Sequence, residues 1–84
     1  MQKIIIVGLL LVTGLFGASD KCKKEVDSLL DKVSFAKQFN RTADHYVAYK
    51  QAEDAMRACR YQISDNDMMN LIEIKNNEQK MAGY

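Results

Sequence analysis

The chain has 84 residues, with 12 Lys and Arg against 11 Asp and Glu and a formal net charge of +1. That length builds one small domain at most, which excludes most enzymes, and so even a balance offers no bulk attraction to nucleic acid or to an acidic surface. Proline is absent and Gly83 is the only glycine beyond residue 17, so nothing interrupts helices between Asp20 and Ala82, and the composition predicts an all-α protein.

Lys3 and the amino terminus precede an apolar run over residues 4–16 (IIIVGLLLVTGLF), which is followed by the small residues Gly17, Ala18 and Ser19. This is the order of parts in a secretory signal peptide. A signal peptidase needs small side chains at the first and third positions before the cut. Gly17 with Ser19 meets that need, whereas a cut after Ala18 puts Phe16 in the pocket. The expected leader is therefore 1–19, cut after Ser19, with 20–84 as a single small helical domain in the periplasm. The competing reading is an inner-membrane anchor over residues 4–18, but that run is short of the roughly 20 residues a spanning helix needs. Lipid attachment would require a Cys directly after the cut, where Asp20 stands.

An exported chain meets an oxidising compartment, and both cysteines, Cys22 and Cys59, fall in the mature part. A single disulfide is the simplest expectation. The two lie equally far from the Asn40–Arg41 bond, and Phe39-Asn40-Arg41-Thr42 is the only loop-like break in the helical pattern. A hairpin folded there sets the two sulfurs opposite each other. Periodicity agrees independently: Cys22, Val26, Leu29, Val33 and Ala36 recur at helical spacing on one side, and His45, Tyr49, Ala52, Met56, Cys59 and Ile63 on the other. Folding about the break pairs Val26 with Ala55 and Met56, Leu29 with Ala52, and Val33 with Ala48 and Tyr49, so large residues meet mostly small ones. The prediction is an antiparallel hairpin of helices over about 21–38 and 42–62, closed by Cys22–Cys59. No Cys-x-x-Cys and no adjacent base mark the thiols as redox-active.

Ser64-Asp65-Asn66-Asp67 is a cluster of helix-capping residues, and Met68, Met69, Leu71 and Ile72 follow at helical spacing. They predict a short third helix over about 66–81, packed near the stapled end, whose polar second half from Lys75 frays. Leu71, Ile72 and Ile74 read alternatively as a strand, but the mature chain holds no obvious pairing partner.

No residues are assigned to catalysis, to a cofactor or to a metal. His45, the only histidine, has Asp44 beside it, but adjacent helical residues point about 100° apart, so Asp44 does not orient the ring. Asp65-Asn66-Asp67 lacks both the turn glycine and the closing Glu of a calcium loop. Asn40-Arg41-Thr42 matches a glycosylation acceptor, a triplet frequent by chance, and the short leader and small size read as bacterial.

Two features rise above this background. Lys21, Lys23 and Lys24 crowd the first turn of the first helix, where the helix dipole disfavours cations, and Arg57 and Arg60 face them across the hairpin. They form a candidate patch for an anionic partner such as lipid headgroups, although Asp20, Glu25 and Asp27 lie among them. Phe35, Phe39, Tyr46 and Tyr49 gather at the turn, and a two-helix seam cannot hide all four, which leaves a candidate contact patch.

With these residues in view, the chain resembles a family of small exported bacterial proteins of unknown function, in which a cleaved signal precedes a helical hairpin with a Cys at each open end. The matching pieces are Cys22, Ala36-Lys37 followed by Asn40, Lys50 and Cys59, covering about 22–59. The chain departs from the family where a long charged C-terminal helix usually follows. The resemblance implies periplasm and hairpin and no activity. The functional expectation is a non-enzymatic protein acting through contacts, by self-association as a homo-oligomer or on an envelope protein. The alternative is a peripheral module binding anionic lipid through the basic end.

Overall fold

The computed structural model describes residues 18–84, so of the expected leader only Ala18 and Ser19 are seen and the rest lies outside the described residues. Three helices follow one another: α1 Asp20–Phe39, α2 Thr42–Ala58 and α3 Asp65–Met81, with no strand among the described residues. None of these helices is long and apolar enough to cross a membrane.

Each boundary has a local cause. Ser19 caps α1, its Oγ accepting from the Cys22 N–H at 3.2 Å, and Asp20 places a negative charge at the positive end of the helix. Asn40 ends α1 with φ 53°, in the left-handed region that Asn tolerates better than most residues, and its N–H returns to the Ala36 carbonyl at 2.7 Å. The chain restarts as a helix two residues later, so the expected break over residues 39–42 is where the hairpin turns. Ser64 caps α3 as Ser19 caps α1, accepting from the Asp67 N–H at 3.1 Å. Ser64→Ala is expected to cost about 1 kcal/mol, read as a lower denaturant midpoint at unchanged slope.

α1 and α2 form the antiparallel hairpin, closed by the Cys22–Cys59 disulfide with the two Cα atoms 4.7 Å apart. Val26 and Leu29 of α1 share one core with the alanines Ala52 and Ala55 of α2, and Ala36 and Ala48 are fully buried as well. Alanine leaves no side chain to hold the helices apart, so the backbones approach closely and dispersion contacts accumulate along the seam. Midway along, the Gln51 amide of α2 donates to the Glu25 carbonyl of α1 at 3.2 Å and to its carboxylate at 2.5 Å, while Ser28 donates to Gln51 Oε1 at 3.2 Å.

Two expectations for α2 are corrected. α2 ends at Ala58 rather than near residue 62, because Cys59 is pinned to the start of α1 and the chain must reverse to lay down α3. Tyr61 takes φ 65° in this reversal, and Gln62 knits it together: its Nε2 donates to the Ala58 carbonyl at 3.0 Å and its Oε1 accepts from the Ser19 N–H at 2.8 Å. The buried stripe of α2 is also His45, Ala48, Ala52 and Ala55, continued by Cys59 just past its end, while Tyr49, Met56 and Ile63 are only partly buried. α2 is the central helix, with α1 and α3 both packed against it, so its apolar surface is wider than one seam.

α3 runs antiparallel to α2 along its whole length. Leu71 joins the core of Ala18, Cys22, Val26, Leu29, Ala52, Ala55 and Cys59, with Met68 and Ile74 packed against it. The expected fraying beyond Lys75 does not occur, since helix continues to Met81 and then closes on Gly83. With φ 85°, Gly83 donates to the Lys80 carbonyl at 3.1 Å and Tyr84 donates to the Gln79 carbonyl at 3.0 Å, a helix stop that needs a left-handed residue and aims Tyr84 back at the hairpin.

Candidate functional site

The turn end gathers the C-terminus of α1, the N-terminus of α2 and the C-terminus of α3. Its centre is His45, 3% exposed. Nδ1 lies 2.6 Å from Glu78 Oε1 of α3 and Nε2 lies 2.8 Å from Asn40 Oδ1 at the end of α1. Both ring nitrogens lie within hydrogen-bond distance of an oxygen, so the buried ring is partnered on both sides. Glu78 is itself 2% exposed, and no buried side-chain polar atom among the described residues lacks a partner. The group thus ties all three helices at the end opposite the disulfide. It accounts for His45 structurally, since Asp44 turns instead to Arg41.

The four aromatic residues of the candidate contact patch fall into two groups. Phe35 and Phe39, one turn apart on α1, have ring centroids 4.5 Å apart, and each residue is 47% exposed. The Arg41 guanidinium sits over both rings, 5.9 and 5.2 Å from their centroids. Arg41 is fixed there by Asp44, to which its Nε and an Nη donate at 2.6 and 3.3 Å, and that hydrogen bond raises the Arg41 pKa above its ordinary value. Tyr46 and Tyr49 of α2 instead gather with Tyr84, whose ring lies 5.1 and 6.4 Å from theirs. The Tyr49 ring also carries Lys50 Nζ at 5.5 Å. Lys50 donates to Glu53 at 3.0 Å, and this hydrogen bond lowers the Glu53 pKa and raises that of Lys50.

At the stapled end, Lys21, Lys23, Lys24 and Arg60 are exposed, Arg60 lying 5.3 Å from the centroid of the Tyr61 ring. Arg57 is paired with Asp54. α3 begins at this same end with Asp65 and Asp67, and Asp20 opens α1. The five cations are therefore interleaved with carboxylates and do not make a field of one sign. Among the described residues no group of three or more His, Cys, Asp or Glu is placed to hold a metal ion.

Glu78 and Tyr84 were not among the sequence candidates. Glu78 lies in a polar stretch that looks solvated, and the one available signal was a lone His on an otherwise apolar stripe, which needs a polar partner from elsewhere. Fold and turn-end geometry together define a disulfide-closed three-helix protein with a half-exposed aromatic pair. No protein-family model, curated protein or solved structure matches the chain.

Proposed function

We propose that this is an exported, non-enzymatic protein of the bacterial envelope that acts through protein contacts, with a second copy or with an envelope protein, at the Phe35–Phe39 face. Export is supported by the leader-like segment ahead of a domain closed by a disulfide, a bond that persists in oxidising compartments. The observation that carries the contact reading is the ring pair itself. Two half-exposed phenylalanines, in tilted contact with one another under a guanidinium paired with Asp44, present an apolar surface with a cationic edge. Little side-chain entropy remains to be lost there on binding, and covering the exposed half of each ring is worth about 1 kcal/mol. Arg and Phe are also among the residues enriched in interfaces.

The double substitution Phe35→Ser, Phe39→Ser is expected to weaken self-association or partner binding at least about tenfold, since about 1.4 kcal/mol is a factor of ten. Its melting temperature is expected to fall by less than the shift that reduction causes. Sedimentation over a range of concentrations and a thermal melt read the two effects. Unfolding of the variant while its residual folded fraction still associates normally would make the rings core residues and refute this reading. Salt-sensitive binding to anionic vesicles without any protein association would favour the stapled end instead, against the interleaved charge found there.

A further inference from the structure

Ser19 and Ala18 belong to the folded domain, although reading peptidase preference alone places them in the leader. Every polar atom of Ser19 is in use: its N–H donates to Gln62 at 2.8 Å, its Oγ accepts from the Cys22 N–H at 3.2 Å, and its carbonyl accepts from the Lys23 N–H at 3.1 Å. Ala18 is 7% exposed and lies in the core cluster with Cys22 and Cys59. A cut after Ser19 would remove all of this at the point where the disulfide closes the hairpin. It would also leave the new ammonium of Asp20 on the positive end of α1, where the helix dipole opposes it.

We propose, resting on the export reading above, that the leader is removed between Gly17 and Ala18, so that the mature chain begins Ala18-Ser19-Asp20. Water hydrolyses the Gly17–Ala18 amide, the carboxylate leaving with the leader and the ammonium forming on Ala18, where it is outside the helix. Gly17 supplies the small residue before the cut; Leu15 at the third position departs from the small residue a signal peptidase needs there, and the contacts of Ala18 and Ser19 are what favour this bond over the one after Ser19. A cut one residue later keeps Ser19 but presents Phe16 at that position.

The test is N-terminal sequencing and intact mass of the full chain expressed in a host with an oxidising export compartment, alongside the variant Ser19→Leu. A bulky residue in the last position blocks cleavage of the 19–20 bond and leaves the 17–18 bond two residues away. Expected are a product starting at Ala18 for both chains, and a melting temperature lower by about 4 °C or more for the variant, from loss of the cap. An exported product starting at Asp20 or Ser19, or a variant whose processing stops, overturns the position of the cut and leaves export standing. An uncut chain retained in the cytoplasm refutes export itself and this inference with it.

Discussion

Reducing the Cys22–Cys59 bond is expected to lower the unfolding free energy of the chain by about 2 to 5 kcal/mol. The two residues are separated by 37 positions in sequence, and for a loop of that length the chain-entropy relation gives about 4 kcal/mol of stabilisation through the unfolded state. A domain this small has little else to spend against conformational entropy, since its largest fully buried side chains are Leu29, Leu71 and Val26 beside the two cysteines. Denaturant titrations with and without reductant measure the difference, and Cys59→Ser is expected to act in the same direction. Coincident transitions would show that the oxidised hairpin gains nothing from its closure.

The second large effect is expected at the opposite end. Glu78→Ala leaves His45 buried with Nδ1 facing an empty site, and a buried hydrogen-bonding group left without its partner costs about 1 to 3 kcal/mol. His45→Ala removes the partner of the buried Glu78 side chain at similar cost. Because the two side chains meet at 2.6 Å and both are 3% exposed, the substitutions are expected to be strongly non-additive, with a coupling of about 1 kcal/mol or more in a double-mutant cycle. Replacing both by apolar residues of like volume should recover much of the loss. Additive or neutral single substitutions would mean that α3 is held by Leu71 and its neighbours alone.

The hairpin was legible in the sequence because its signals are local or symmetric. Cys22 and Cys59 flank the Asn40 turn evenly, and the small residues of α2 sit opposite the large ones of α1. What was hidden depends on contacts between segments far apart in the chain. Glu78 is an ordinary charged residue until α3 is laid along α2 and meets His45, 33 residues away. Tyr84 reads as a loose terminal residue until Gly83 turns it toward Tyr46 and Tyr49. The misjudged end of α2 has the same origin: residues 59–62 contain nothing that breaks a helix, and the reversal is imposed by the disulfide and by the Ser19–Gln62 hydrogen bond. Ala48 and Ala55 were paired across the hairpin but left out of the seam, because a one-seam pattern cannot describe a helix with a neighbour on either side.

Both cysteines are fully buried, and this sets how the bond is lost rather than how much it stabilises. A thiolate must approach a disulfide along the sulfur–sulfur axis, and here helix and core occupy that path, so an attacking reductant has to wait for the end of the hairpin to open. The lifetime of the bond is then governed by the frequency of opening and not by the reducing power of the surroundings alone. Once the bond is cut, the domain opens more readily, so the two thiols are exposed more often than the disulfide was. Once formed, the bond therefore outlasts a brief change in redox conditions, because it meets the reductant only when the hairpin end opens.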